Sequence, residues 1–136
     1  MRLYSLLIFL LISRLPLQAQ DMSMEKKLHL IDSLVYFNHF EEAKPKMNSL
    51  NKWINTQKQT HSTKNAELQL LYYKAYINAL EFRNGKSLAI AIDLIKKSKQ
   101  FKLTEWEFKA HLAVAGFYEG SPDFDKRCKE QLDEAY

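Results

Sequence analysis

The sequence predicts an all-α protein, three antiparallel helical hairpins behind an N-terminal leader, on three observations. Helix breakers are scarce: only three Gly and three Pro occur in 136 residues, and Pro16 falls in the leader. Apolar residues recur at spacings of three and four, which places them on one face of a helix. One pattern of spacings then appears three times along the chain.

The leader comes first. Arg2 precedes a run from Leu3 to Ile12 that is apolar apart from Tyr4 and Ser5, and "LQAQ" offers the small residue Ala19. That order is the one a secretory signal uses, so residues 1–19 are expected to be a signal peptide cut between Ala19 and Gln20. A membrane anchor needs about 20 apolar residues. Ser13, Arg14 and Pro16 interrupt this run well before that, and no later stretch of the sequence is long and apolar enough to span a bilayer. No Cys follows the cleavage site to take a lipid. The expected location is periplasmic or secreted.

The first hairpin is predicted at about 24–54. A helix near Met24–Phe37 turns at "NHFEE" into a second that ends near Ile54. "NTQKQTHSTKN" is polar, so residues 55–64 are read as a flexible linker. In the second hairpin, 65–99, Leu68, Leu71, Tyr72, Ala75, Ala79 and Phe82 form the expected buried stripe of the first helix. "RNGK" at 83–86 supplies the turn, because Asn and Gly tolerate positive φ, and Ser87 is placed as the next cap. In the third, 104–136, Thr104 with Glu107 reads as a capping box. "EGSPD" stops that helix near Tyr118, and Ser121 with Pro122 suits the start of another. The closing "CKEQLDEAY" reads as mid-helix, with no Gly, Asn or Pro to end it. The apolar face of Leu132 and Ala135 is therefore expected to be uncapped, in a truncated array or one that self-associates.

Charge narrows the function classes. The formal charge of +4 falls to +2 without Arg2 and Arg14. Lys and Glu alternate through "EEAKPK" and "DKRCKEQLDE", which predicts solvated helix faces and no nucleic-acid partner. Cys128 is the sole cysteine, so no internal disulfide forms, and its place in the spacing pattern makes it a packed thiol. His29, His39, His61 and His111 fall in separate segments, without a second His or a Cys at ligand spacing, so no metal site is expected. Glu41/Glu42 and Glu105/Glu107 are placed on solvated surfaces or caps. No Gly-rich phosphate loop, nucleophile elbow or metalloprotease motif is present, and neither an enzyme nor a cofactor is expected.

The spacing pattern carries a resemblance. Ala79, Ala91, Ile95 and Ser98 are separated by 12, 4 and 3 positions, as are Gly116, Cys128, Leu132 and Ala135, and Ile31, Ala43, Met47 and Leu50. With the aromatic of "FEEAKPKM" three residues before Ala43, these places resemble the tetratricopeptide repeat family. The family's Trp is missing, Ile31 stands where Gly or Ala is usual, and the repeats lie 37 and 48 residues apart. The resemblance implies a stacked α-solenoid over 20–136, a non-catalytic scaffold binding a protein or peptide on the face lined by the first helix of each hairpin. It places Tyr73, Tyr76, Leu80, Arg83 and Asn84 there, with Ala110, Ala113 and Phe117 from the third hairpin and Leu28, Asp32 and Tyr36 from the first. Tyrosines beside an arginine suit recognition. In bacterial proteins, an exported region of this kind resembles the extracytoplasmic input part of sensor histidine kinases or related transcriptional regulators. That gives a sensory input region without its output part as the second expectation, and an irregular secreted helical bundle as the third.

Overall fold

The computed structural model describes residues 23–117 and, singly, residues 126, 130, 133 and 134. The leader, Cys128, Leu132, Ala135 and the predicted helix from Ser121 lie outside the described residues, apart from those four positions. Five helices follow one another: α1 Met24–Tyr36, α2 Phe40–Thr56, α3 His61–Leu80, α4 Asn84–Phe101 and α5 Thr104–Phe117. No strand occurs among the described residues.

Three of the helices end in the same way. After α1, α3 and α4 the chain passes through one left-handed residue: Asn38, Phe82 or Lys102, with φ of 61°, 58° and 57°. The next amide in each case reaches five residues back, from His39 to the Leu34 carbonyl, Arg83 to Asn78 and Leu103 to Ser98, at 2.8, 2.8 and 3.0 Å. The left-handed residue itself bonds three back, to Val35, Ala79 and Lys99. This double closure satisfies carbonyls that a helix end otherwise leaves open. Asn38 is the turn residue that "NHFEE" predicts. The "RNGK" expectation is displaced: Asn84 and Gly85 are already helical, and the left-handed residue is Phe82. A Cβ costs about 1–2 kcal/mol in that conformation, and the Phe82 ring lies 92% exposed.

The predicted linker also shrinks. α2 runs on through Thr56 and α3 begins at His61, so only Gln57, Lys58, Gln59 and Thr60 connect them. Thr60 caps α3: its hydroxyl accepts from the Thr63 amide at 3.2 Å, and its own amide donates to the Thr63 hydroxyl at 2.8 Å. Thr63 does here what Glu or Gln usually does in a capping box. At α5, Thr104 is the first helical residue and the Leu103 carbonyl accepts from Trp106 and Glu107, so the expected Thr104–Glu107 box is replaced. Ser87 is not a cap either. It lies inside α4 and donates across to the Ala75 carbonyl of α3 at 2.5 Å. Pro45 falls in the second turn of α2, where its missing N–H removes a ladder bond.

α3 occupies the centre and buries two faces rather than the one predicted. Ala66, Leu70, Tyr73 and Ile77 pack with Ile31 and Val35 of α1 and with Ala43, Met47, Leu50 and Ile54 of α2. Leu68 meets Leu94, Trp106 and Ala110 of α4 and α5, and Ala75 meets Ala91 and Val114. Of the predicted stripe, Leu68 and Ala75 are buried, Leu71, Tyr72 and Ala79 are half-buried, and Phe82 is in solvent. Ala110, expected on an open surface, is fully buried in the second cluster.

Burial repeats between the two complete helix pairs. Ala43, Met47, Leu50 and Ile54 are buried in α2, and Ser87, Ala91, Leu94 and Ser98, each 44 positions later, are buried in α4. The left-handed residues Asn38 and Phe82 share that offset. The sequence pattern instead aligned Ala43 with Ala91, one helical turn further on, through the shared spacings of 12, 4 and 3. Ser87 and Ser98 are buried hydroxyls and both hydrogen-bond to backbone carbonyls, Ser98 to Ile95 at 2.9 Å.

Candidate interaction clefts

α1 lies against α3 and α3 against α5, and two clefts open along that edge. The first, of about 320 Å³, is lined by Asp32, Val35, Tyr36 and Asn38 with Tyr72, Tyr73 and Tyr76 of α3. The second, of about 290 Å³, is apolar and is lined by Tyr72, Ala75, Tyr76 and Ala79 with Ala91, Leu94, Ala113 and Gly116. Tyr72 and Tyr76 belong to both and form the wall between them. Small residues at Ala75, Ala79, Ala113 and Gly116 keep the second cleft open; a Cβ added at Gly116 meets nothing within 4 Å.

Tyr73 anchors the first cleft. Its ring is 9% exposed within the α1–α2–α3 core, and its hydroxyl donates to Asp32 Oδ1 while accepting from Gln69 Nε2 at 2.7 Å. Burial, and then the bond to Asp32, push its phenol up to about 12, with the Gln69 donor opposing. The hydroxyl therefore stays protonated at any ordinary pH and remains a donor to Asp32. Tyr36 and Tyr76 are 78% and 43% exposed. Tyr72 tilts against Tyr73 at 6.2 Å and against Trp106 at 6.0 Å, and the Trp106 indole N–H donates to Asn65 Oδ1 at 2.5 Å. The wall thus stands on a fixed base.

The residues predicted for one inner surface are divided by the structure. Tyr73, Tyr76, Asp32 and Tyr36 meet in the first cleft, and Ala113 joins Tyr76 in the second. Leu28 is half-buried against the first core cluster. Leu80 is exposed, and Asn84 is the exposed first residue of α4. Arg83 lines a different, polar cleft of about 210 Å³ with Lys44, Lys74, Asn78, Glu81 and Lys86. There Glu81 holds Lys44 at 2.5 Å and lies 3.8 Å from Arg83. Phe117 closes α5, and its side chain lies outside the described residues. Tyr72 was missed because its apolar spacing put it wholly in the core stripe; its neighbour Tyr73, which points to the other face of α3, is the signal that the helix has two buried sides. A further apolar groove, of about 350 Å³, lies between α1 and α2 and includes Leu30, Pro45 and Trp53 with Lys27 and Lys46, and was not foreseen.

His29, His39 and His61 are exposed, and His111 is buried. Among the described residues no group of three or more His, Cys, Asp or Glu is gathered to hold a metal. Glu107, expected at a cap or in solvent, lies 3.7 Å from Lys99 and 4.0 Å from His111 and so ties α5 to α4. No described helix is long and apolar enough to cross a membrane. Comparison of the chain with protein-family models, with curated proteins and with solved structures finds no match.

Proposed function

We propose that this chain is a non-catalytic binding scaffold, a tetratricopeptide-like stack of helix pairs exported to the cell envelope, which holds a protein or peptide partner along the α1–α3–α5 edge. The observation that supports this reading best is the shared tyrosine wall: Tyr72 and Tyr76 divide two adjoining clefts, one polar and one apolar. A segment lying across the wall would place polar groups against Asp32 and the tyrosine hydroxyls on one side and an apolar side chain among Ala79, Ala113 and Gly116 on the other. Tyrosine suits such a place because it offers large contact area with few rotatable bonds and a polar tip. The repeated burial of α2 and α4 at a fixed offset supports the repeat architecture, and the apolar order of residues 1–19 supports export.

Selection of a displayed peptide library on the full chain tests the reading. Enriched peptides are expected to bind at least tenfold more weakly to the Tyr76→Ala variant, the loss of about 1.4 kcal/mol that truncating a recognition tyrosine brings. The Trp53→Ala variant, on the remote α1–α2 groove, should bind them unchanged. A library in which no sequence is enriched, or whose enriched members ignore Tyr76, removes the proposal.

A further inference from the structure

Among the described residues, the cleft between α1 and α3 holds a single formal charge. Asp32 is the one charged side chain among the described residues that line it; the others are Val35, Asn38 and four tyrosines. The lysines of α3 are directed elsewhere: Lys64 lies over the Phe101 ring at 5.2 Å, and Lys74 lines the polar cleft with Glu81. The Tyr73 hydroxyl occupies Asp32 Oδ1 and is itself steadied by Gln69. A carboxylate has room for about four hydrogen bonds, so this one bond orients Asp32 and leaves it able to accept from a ligand. At the mouth Tyr36, set edge-on to Phe37, is 78% exposed and Tyr76 is 43% exposed, and Tyr72 backs them. Ring faces carry negative quadrupole potential and attract a cation within about 6 Å of the centroid. A carboxylate fixed beside several such rings is the chemistry that separates organic cations from neutral molecules of the same shape.

We propose that this cleft is an organic-cation site, taking an alkylammonium or guanidinium group with Asp32 as counter-ion and Tyr36, Tyr72 and Tyr76 as its aromatic walls. Tyr73 is the positioning residue that holds Asp32. The inference rests on the reading of the α1–α3–α5 edge as a recognition surface and names the group recognised there. An anion would be repelled by Asp32, and a neutral ligand would cover the carboxylate without replacing the water it displaces. The volume of about 320 Å³ admits one such head group with part of its stem. The same chemistry is carried by a Lys or Arg side chain of a peptide and by a free quaternary ammonium compound.

The test is a calorimetric titration of the full chain with tetramethylammonium, choline, and short peptides bearing one central Lys or Arg. 3,3-Dimethylbutanol, the neutral isostere of choline, is the control. At least one cation is expected to bind saturably and about tenfold or more tightly than its neutral counterpart. Asp32→Asn, which keeps an acceptor for Tyr73, should lose about tenfold, whereas Tyr76→Phe should keep the affinity that Tyr76→Leu loses. Tyr73→Phe should weaken cation binding in the natural background and not in the Asp32→Asn background, a dependence that a merely structural effect would not show. Binding of the peptides alone assigns a protein source, and binding of the free ammonium compounds alone assigns a small molecule; both support the site. Equal binding of choline and its neutral isostere, or unchanged cation binding by Asp32→Asn, overturns it. If library-selected peptides depend on Tyr76, carry no excess of Lys or Arg and ignore Asp32→Asn, the cation assignment fails while the recognition surface stands. If neither cations nor peptides bind, both fail.

Discussion

The α1–α2 pair and the α3–α4 pair bury residues at the same places but fill them differently. Where α2 has Met47 and Ile54, α4 has Ala91 and Ser98; Leu50 and Leu94 are alike, and Ala43 corresponds to Ser87. The smaller side chains let α4 come close to α3, close enough for the Ser87 hydroxyl to reach the Ala75 carbonyl. α5 then packs over the seam, through Trp106, Ala110 and Val114. α2 keeps bulky residues, meets its own partner α1 along a less extensive contact, and leaves between them the groove of Leu30, Pro45 and Trp53. Side-chain size at equivalent positions therefore sets how near two helices lie. It also determines whether a third helix can share the interface.

Cavity-forming substitutions sharpen that contrast most strongly. Leu94 is 1% exposed, packs with residues of α3 and α5 and has the second cleft on one side, so Leu94→Ala should cost about 3–5 kcal/mol. Leu50 borders the groove between α1 and α2, which meet less extensively than α3 and α4 and can close on a vacancy, so Leu50→Ala should cost about 2–3 kcal/mol. Urea unfolding of the two variants measures both. Equal losses would show that the two pairs are packed alike, and the argument from side-chain size would fail.

A smaller effect separates the turns that close α1 and α3. Both use a left-handed residue, but Asn38 tolerates that conformation through its short polar side chain, while Phe82 has no such compensation and no packing. Phe82→Gly should raise stability by about 1 kcal/mol, and Asn38→Gly by well under half of that, read as shifts in the thermal midpoint. Gly85 makes the complementary point. It is helical, and an added Cβ meets nothing within 4 Å, so Gly85→Ala should stabilise by about 0.5–1 kcal/mol. A destabilised Gly85→Ala variant would restore the turn to the place the sequence suggested.

These turns also show what could be read in advance. The helices were legible because apolar spacings of three and four leave few alternatives. Asn38 was legible because its side chain announces the conformation. Phe82 was not, since the closure after α3 is made by backbone bonds that any residue can supply, and Asn84–Gly85 offered a more familiar turn two residues later. The start of α3 was hidden in a polar stretch because Thr63 does the work usually given to Glu or Gln. In the site, Tyr73, Tyr76, Asp32 and Tyr36 were named from the expected inner face, and they do converge. The burial of Tyr73 and the two-sided role of Tyr72 depend on α3 being flanked by a pair on each side, which no single helix period encodes. Arg83 went astray because Glu81 draws it into the polar cleft with Lys44.

The smallest effect concerns the ion pair that joins the two halves. Lys44 of α2 bonds Glu81 at the end of α3, and the same lysine holds Glu41 within α2 at 2.9 Å. The hydrogen bond from Lys44 holds the Glu81 carboxyl below its ordinary value, and the Glu81 bond, with that of Glu41, raises the Lys44 ammonium. For a carboxyl lowered in the folded state, the stabilisation is present above the unfolded value of about 4.3 and is lost as pH falls through the lower, folded one. Acidification from pH 6 to pH 3 should therefore cost the natural chain more thermal stability than it costs Glu81→Gln, which has no charge there to lose. Both groups are open to water, so the difference should be small and should shrink further in high salt. Within the tighter pair, Lys97 of α4 bonds Glu67 of α3 at 2.5 Å. If Glu81→Gln follows the natural chain down to pH 3 at low salt, the Lys44 pair contributes nothing to holding α2 on α3. α2 is then held on α3 by apolar contacts such as those of Met47, Leu50 and Ile54, beside the α1 packing and the Tyr73–Asp32 hydrogen bond that also join the two halves.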